Sequence, residues 1–257
     1  MKKIALLLSG HLRNMGDIVD NFKNNIVDTL QSCDIYVHTW DNNHTYDKLM
    51  CNDKFFDNET VDVEGLFNRN KIYVKKLLIE NQKEFEDKIS LKEYLKINTK
   101  SKTFHGKDQS TYVKEMVRKL FLQFYGHYKV FKLIDTNVKY SHIIKTRPDS
   151  LYDKFDMDLL KYKLFFPRSH RMGGSSINNA FFGGEFIHAS QVLSFFNNVI
   201  YNEKKMNEDI INKYHKSDVN FNKIFNYYVI KHLKFNPKFV SYNPKIYRDK
   251  NNIVTIK

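Results

Sequence analysis

The sequence is poor in cysteine, proline and glycine. Its 257 residues include two cysteines, Cys33 and Cys51, four prolines and nine glycines. Two cysteines are too few for a disulfide framework or a thiolate metal site. Few prolines and glycines argue against a disordered tail and against a repeat of short turns. Cys33 opens an apolar run and is predicted to be a buried free thiol.

Long apolar runs are also missing. The start, "MKKIALLLSG", holds about six apolar residues in a row, fewer than a signal peptide needs, and lacks a small-residue cleavage site. No segment approaches the ~20 apolar residues of a membrane span. We therefore expect a soluble, cytoplasmic protein, with peripheral contact at a membrane surface left open.

Acidic residues are outnumbered by basic ones. There are 42 Lys and Arg against 29 Asp and Glu, a net charge of +13. Such a balance attracts nucleic acid, phosphorylated substrates or an acidic membrane surface. Much of the excess is Lys in a chain that is also rich in Asn, as an AT-rich genome encourages, so charge alone does not choose among these partners.

What the sequence does contain is an alternation of strand and helix patterns. Residues 3–9 form a continuous apolar run, typical of a strand buried on both faces of a parallel sheet. Apolar residues then recur every four positions from Ile18 to Leu30, which predicts a helix with one apolar stripe. The β-branched and aromatic run 33–40 is the next strand. A strand, a helix and a strand in about forty residues form a βαβ unit with parallel strands.

The rest of the chain continues the pattern less regularly. Further strands are predicted at 71–79, 140–147, 163–167 and 179–184, and helices at 110–134, from about 188 and from about Ser217. No linker or repeat divides the chain. The sequence therefore predicts one α/β domain over 1–257, with a Rossmann-like, mostly parallel central sheet flanked by helices.

Polar residues follow three of the predicted strands. They lie in "SGHLRN", "HTWDNN" and "KTRPDS", and ligands of open α/β sheets bind outside the carboxyl ends of the strands. Cations, helix-start amides and an aromatic ring suit a nucleotide with its phosphates. The candidate residues at these ends are Ser9, Gly10, His11, Arg13, Thr39, Trp40, Asp41, Lys145, Arg147 and Asp149. Each also has an ordinary interpretation: a tight turn at Gly10, a solvated helix start at Arg13, and a core position for Trp40.

The segment "KTRPDS" gives the sharpest prediction. Pro148 lacks an amide hydrogen and favours an extended Arg147, so Lys145, Arg147 and Asp149 are expected on one face. Two cations beside one carboxylate keep it ionised and attract phosphate. The alternative is a structural Arg–Asp pair that closes the end of the strand.

Other candidate sites carry weaker patterns. Asp156 and Asp158 have the Asp-x-Asp spacing of a metal site, but helix capping explains them well. Glu185 follows two glycines at a strand end and is a candidate acid. His170 lies in a basic loop. No zinc-site spacing and no G-x-S-x-G elbow is present.

Four segments together resemble a known group of proteins. "IALLLSGHLRN", "CDIYVHTWD", "HIIKTRPDSLY" and "NNAFFGGEF", spread over about 3–190, resemble glycosyltransferase-like proteins of bacterial polysaccharide and lipopolysaccharide clusters and of large DNA viruses, similar to the WavE type. The resemblance implies a GT-A-like fold, with a nucleotide-sugar-binding half at 1–150 and an acceptor-binding half at 151–257. It also implies that the long helix faces the donor, and Gln123 and Lys129 are the candidates there.

The resemblance leaves metal dependence open. In that fold an Asp-x-Asp at a strand end normally holds Mn²⁺ or Mg²⁺, and Arg147 stands where the first acid would be. Asp149 then holds a metal or the ribose, while Lys145 and Arg147 neutralise the diphosphate directly.

The implied activity is transfer of a sugar from a UDP- or GDP-sugar to a hydroxyl of a glycan, a lipid-linked saccharide or a glycoprotein. Arg13, Lys145 and Arg147 would stabilise the leaving diphosphate. Asp149, Glu185 and Asp218 are the predicted catalytic acids, with helix capping as the alternative for Asp218. Three alternatives stay open: an inactive nucleotide-sugar-binding relative, a sulfotransferase, and a basic nucleic-acid-binding protein, which the lack of any known nucleic-acid module disfavours.

Overall fold

The structure is a computed structural model that describes residues 3–12, 15–41, 62–88, 109–168, 177, 179–200, 225–242, 244–247 and 253–254. Several sequence-based predictions lie outside the described residues. They concern Cys51, Arg13, His170, Ser217 and Asp218.

Within these described residues, ten strands form two sheets. The strands are β1 (Ile4–Ser9), β2 (Cys33–Trp40), β3 (Val74–Glu80), β4 (His142–Thr146), β5 (Ser150–Leu151), β6 (Leu164–Pro167), β7 (Phe182–Glu185), β8 (Lys238–Val240), β9 (Lys245–Tyr247) and β10 (Ile253–Val254). Seven of them form the central sheet, in the order β3-β2-β1-β4-β7-β6-β8, and the order of the small sheet is β10-β9-β5.

The central sheet is mostly parallel. β1 runs parallel to both β2 and β4, and β2 runs parallel to β3. β7 is antiparallel to both of its neighbours, β4 and β6, whereas β6 and β8 are parallel. The predicted α/β class and mostly parallel sheet are confirmed, and the architecture is consistent with a GT-A-like fold.

Helices cover both faces of the sheet. The α-helices are α1 (Met15–Phe22), α2 (Asp28–Leu30), α3 (Val63–Arg69), α4 (Gln82–Lys88), α5 (Gln109–Lys132) and α6 (Phe186–Leu193). A π-helical turn (Lys23–Val27) joins α1 to α2, a 3₁₀ helix covers Met157–Lys161, and π-helical turns cover Phe196–Ile200 and Tyr228–His232. The long helix predicted at 110–134 is α5, and the helix predicted from about 188 begins two residues earlier. Among the described helices, none is long and apolar enough to span a bilayer.

The alternation of side chains along β1 explains its continuous apolar run. Ala5 and Leu7 belong to the core between the sheet and α5, whereas Ile4, Leu6 and Leu8 belong to the core on the α1 side. A strand buried on both faces needs apolar residues at every position. Cys33, at the start of β2, is a free thiol that is only partly buried, and burial raises its pKa to about 12.

The strand order creates one topological switch point. From β1 the chain builds β2 and β3 outward on one side and then adds β4 on the other side of β1. The carboxyl edge between β1 and β4 is therefore the place where open α/β sheets bind ligands.

Candidate functional site

Two of the predicted motifs meet at the switch point. Gly10, directly after β1, has φ = +132°, and a Cβ built on it would lie 3.8 Å from Cδ of Pro148. The Gly10 amide donates a hydrogen bond to the carbonyl of His38 at 3.2 Å, which extends the ladder to β2. The loop after β1 therefore runs directly against the Arg147–Pro148–Asp149 turn.

Arg147 and Asp149 form a two-pronged ion pair in that turn. Arg147 Nε donates to Oδ1 of Asp149 at 2.8 Å, and a terminal guanidinium nitrogen donates to Oδ2 at 2.7 Å. The Asp149 side chain is 1% exposed and that of Arg147 is 20% exposed. Burial lowers the pKa of Arg147, but the charge and hydrogen bonds of Asp149 outweigh it and leave this pKa raised. The pair closes the end of β4, and Arg147 alone shows part of its surface.

This geometry does not fit a divalent cation. Both carboxylate oxygens of Asp149 accept hydrogen bonds from a guanidinium, which takes the place a metal would need. Within the part of the chain that the structure describes, no group of three or more His, Cys, Asp or Glu residues could hold a metal ion. The Asp-x-Asp sequence at Asp156 and Asp158 is a helix cap. Oδ1 of Asp156 accepts a hydrogen bond from the Asp158 amide at 2.9 Å, which confirms the capping interpretation.

Lys145 lies beneath the edge instead of at its surface. The side chain is completely buried, and Nζ donates to the carbonyls of Asn179 at 3.3 Å and Ala180 at 3.2 Å. Burial holds the pKa of Lys145 well below its usual range, and the nearby charge of Arg147 lowers it further. Lys145 therefore anchors the segment that leads into β7 and does not present its charge at the edge.

Polar groups lie buried between the sheet and α5. Ser9 pairs with His38 across β1 and β2, and a Cβ built on Gly126 of α5 would lie 3.3 Å from His38 Nδ1 and 3.6 Å from the Ser9 Cβ. The next residue of α5, His127, is also buried. Ser9 Oγ, His38 Nδ1 and His127 Nε2 have no hydrogen-bond partner among the described residues. Gly126 thus lets α5 approach the sheet where these groups lie.

Burial lowers the pKa of both histidines. Burial lowers the pKa of His38, against an opposing effect of Glu80. Burial also brings the pKa of His127 well below its usual range, and the charges of Lys145 and Arg147 add to this. Neither histidine was among the residues selected from the sequence. The available signal for His38 was its position two residues before Trp40, on the same face of β2.

Glu80, the last residue of β3, organises a second polar cluster. His38 Nε2 lies 2.7 Å from one carboxylate oxygen, and the Tyr125 hydroxyl donates to the other at 2.9 Å. The Lys129 ammonium is 3.3 Å from that second oxygen. Burial favours a higher pKa for Glu80, but its hydrogen bonds with His38 and Tyr125 and the charge of Lys129 leave it lowered. The predicted strand stopped at residue 79, so Glu80 was missed.

The residues of "HTWD" divide between core and edge. Trp40 is buried and stacks with Tyr125 at 5.8 Å between ring centroids, which is the core position given above as the alternative. The Thr39 hydroxyl is buried and donates to the Trp40 carbonyl at 3.4 Å. Asp41 accepts from the Asn81 side chain at 2.7 Å, while its other oxygen, Oδ1, is buried without a partner in the described chain.

The remaining predicted residues are not gathered at one place. His11 follows Gly10 and is partly buried, and Gln123 of α5 donates to the side chain of Asn179 at 3.0 Å. Lys129 pairs with Glu80 on the outer flank, away from the switch point.

Glu185 lies at the opposite edge of the sheet. It is the last residue of β7, and its partner across the ladder is His142, the first residue of β4. Because β7 runs antiparallel, its carboxyl end is at the amino ends of β1, β2 and β4. The expectation that Glu185 joins the other strand-end residues in one site is therefore corrected.

A cleft of ≈ 450 Å³ opens beside β3, between α4 and α5. It is bounded by charged side chains of both signs and by aromatic rings. Its lining consists of Glu80, Asn81, Glu84, Phe85, Lys88, Tyr125, Tyr128, Lys129 and Phe196. Glu80 therefore connects the buried His38 to a space that a ligand can enter.

Comparison with known proteins gives a distant structural likeness and no sequence relative. No protein-family model matches the chain, and no curated protein matches it. The apo form of the glycosyltransferase GlyE of Streptococcus pneumoniae TIGR4 is 11% identical, with a TM-score of 0.36, over 90% of this chain and 44% of that one. Another structure of GlyE gives 10% identity and a TM-score of 0.33 over the same shares. The chain spans less than half the length of GlyE, and at TM-scores this low the likeness assigns no function.

Proposed function

We propose that the protein is a glycosyltransferase that uses a nucleotide-sugar donor, bound where the loops after β1 and β4 meet. The observation that carries the proposal is the approach of Gly10 to Pro148 at the switch point of the sheet. Two loops that are far apart in sequence form one surface there, at the edge where α/β sheets take their ligands.

The chemistry at this edge suits the diphosphate of a UDP- or GDP-sugar. α1 begins at Met15, just after the loop that follows β1, and the amino end of a helix favours negative charge. The partly exposed Arg147 supplies a guanidinium that stays protonated. As the bond to the sugar breaks, positive charge here stabilises the leaving diphosphate. Arg13, outside the described residues, stays a proposed second cation.

We propose that Arg147 takes the place of Mn²⁺ or Mg²⁺ at this position. A bidentate guanidinium neutralises phosphate oxygens without a metal. Asp149 orients that guanidinium from beneath, through both of its oxygens. Asp218 is kept as the proposed acceptor of the proton from the acceptor hydroxyl, whereas Glu185 is too far along the sheet to serve.

The acceptor is proposed to be a glycan, a lipid-linked saccharide or a glycoprotein in the cytoplasm. The net charge of +13 also suits an anionic acceptor or contact with a membrane surface.

A second candidate is a nucleotide-sugar-binding relative without catalysis. It is favoured by the closed pair, because a carboxylate that is 1% exposed and held by Arg147 takes no part in proton transfer.

The test is a titration of the protein with UDP-, GDP-, CMP- and dTDP-sugars. Binding is measured by saturation-transfer NMR, with and without Mn²⁺. Arg147→Lys keeps the charge but loses the planar fork, so it should weaken donor binding about tenfold or more. Arg69→Lys is the matched control, because Arg69, the last residue of α3, forms an exposed ion pair with Asp62, which precedes this helix. The Arg69 variant should bind like the parent protein.

Each outcome decides one part of the proposal. Donor binding that Arg147→Lys weakens and Arg69→Lys does not supports the site, and equal binding with and without Mn²⁺ supports the metal-free arrangement. Release of nucleoside diphosphate with an acceptor extract separates an enzyme from an inactive relative. If no nucleotide binds at millimolar concentration, the donor site is refuted.

A further inference from the structure

The cleft beside β3 lies apart from the proposed donor edge. Glu80 pairs with Trp40 across β3 and β2, and β3 is two strands away from β1. At the usual strand spacing this is about 10 Å from the loop that carries Gly10. The cleft is therefore a surface separate from the contact between Gly10 and Pro148.

The cleft carries charges of both signs. Glu80 and Glu84 bring carboxylates, and Lys88 and Lys129 bring ammonium groups. A phosphate or another anion at Lys129 would meet the Glu80 carboxylate, which lies 3.3 Å from that ammonium group. A neutral ligand with many hydroxyl groups has no such conflict, because each hydroxyl both donates and accepts hydrogen bonds.

Aromatic rings complete the walls. Phe85 and Tyr128 are partly exposed, and Tyr125 and Phe196 lie behind them. Phe85 packs on Tyr125 at 3.9 Å between ring centroids, and Tyr128 stacks with Phe196 at 6.2 Å, so the exposed rings are held in fixed orientations. A sugar ring has apolar C–H faces that pack on such rings, while its hydroxyls reach the charged groups around them.

One of the charged groups is held in place before any ligand arrives. Glu80 is 22% exposed, and its two oxygens are positioned by His38 at 2.7 Å and Tyr125 at 2.9 Å. His38 is itself completely buried, so the carboxylate stands on a rigid support. A fixed acceptor of this kind loses little conformational freedom when it binds a hydroxyl.

We propose that the cleft formed by Glu80, Phe85, Tyr128 and Lys129 binds a neutral saccharide ring, packed on Tyr128 and Phe85 and hydrogen-bonded to Glu80. That this saccharide is part of the glycan acceptor rests on the proposed function. Binding of the saccharide in the cleft does not depend on it.

The experiment uses saturation-transfer NMR on the full chain with a panel of neutral monosaccharides and disaccharides, without nucleotide. Tyr128→Ala should weaken the bound saccharide roughly tenfold, and Tyr128→Phe, which keeps the ring, should bind like the parent. Tyr73→Ala is the matched control, because Tyr73 is 79% exposed and does not line the cleft. If Tyr128→Ala does not fold, Glu84→Gln at the exposed rim provides a second variant and should weaken binding severalfold.

The outcomes separate this proposal from the donor site. Saccharide binding that Tyr128→Ala weakens and Tyr73→Ala does not supports the cleft, whether or not a nucleotide-sugar binds at the edge near Arg147. Nucleotide binding that depends on Arg147, with no saccharide binding at millimolar concentration, overturns the cleft and leaves the donor site standing. A saccharide that binds equally to the Tyr128→Ala and Tyr73→Ala variants also overturns it.

Discussion

Arg147 and Asp149 form a two-pronged ion pair after the end of β4. The same pair fits both interpretations of the motif, the structural ion pair and the phosphate-binding site. The Asp149 side chain is 1% exposed, whereas the Arg147 side chain is 20% exposed. The structural interaction therefore fixes the orientation of the group that we propose for phosphate binding.

At this scale we expect Arg147→Met to destabilise the protein by roughly 3–5 kcal/mol, because it leaves the Asp149 carboxylate buried and unpaired. The measurement is the free energy of unfolding in urea. The double variant Arg147→Met/Asp149→Leu removes both charges and should recover most of the loss. Equal stability of the single variant and the parent would mean that the pair is not buried in solution.

The helix α5 shows what an element contributes as a unit. It brings Gly126 against Ser9 and His38, His127 into the buried layer, and Tyr125, Tyr128 and Lys129 to the cleft. Tyr125, Tyr128 and Lys129 reach the cleft together because residues three and four apart lie on the same side of a helix. Its position on the sheet depends on the absence of a side chain at Gly126.

We expect Gly126→Ala and Gly16→Ala to change stability in opposite directions. Alanine is favoured over glycine inside a helix by about 1 kcal/mol, and nothing lies within 4 Å of a Cβ at Gly16 in α1, so that variant should be more stable. A Cβ at Gly126 would lie 3.3 Å from His38 Nδ1, and Glu80 holds the buried ring in place. Overpacking of this kind costs roughly 1–3 kcal/mol, so the Gly126 variant should be less stable. Thermal unfolding of both variants tests the contrast, and a Gly126→Ala protein as stable as Gly16→Ala would contradict it.

At the scale of the whole molecule, the buried histidines link stability to pH. The unfolded chain binds protons at His38 and His127 near the ordinary value of 6.5, whereas both folded-state pKa values are lower. The unfolded state therefore takes up more protons as the pH falls through 6.5, and stability is lost on the acid side. Above that pH the folded protein keeps its full contribution from these groups. Each unit of pKa difference corresponds to about 1.4 kcal/mol.

His127→Phe should flatten this dependence, because a phenyl ring beside Phe124 and Phe182 has no proton to bind. The measurement is the free energy of unfolding of both proteins between pH 5 and 8, roughly the range in which histidine titrates. The parent should lose more stability than the variant on acidification. Parallel curves would show that His127 is not buried in the neutral form.

The sequence by itself determined the class of the fold and most of its elements. The continuous apolar run of β1 and the β-branched and aromatic run of β2 are typical of strands, whereas the four-residue period before β2 and the apolar stripe of α5 are typical of helices. Together these patterns predict a parallel α/β sheet without knowledge of any contact. It also identified Gly10, Arg147 and Asp149 as unusual, because strand ends rarely combine such residues, and the strand-end rule placed them on one edge.

Only the tertiary structure decided which of the strand-end residues share a site. The antiparallel direction of β7 sends Glu185 to the far edge, and sequence does not encode the direction of a short strand. Burial by α5 and by residues 179–180 turns Lys145 into an internal anchor. The cluster of His38, Glu80, Tyr125 and Lys129 is drawn from two strands and a helix, so its members come together only when the sheet and α5 pack. Periodicity reports which face a residue lies on, but the partner on that face is set by long-range packing.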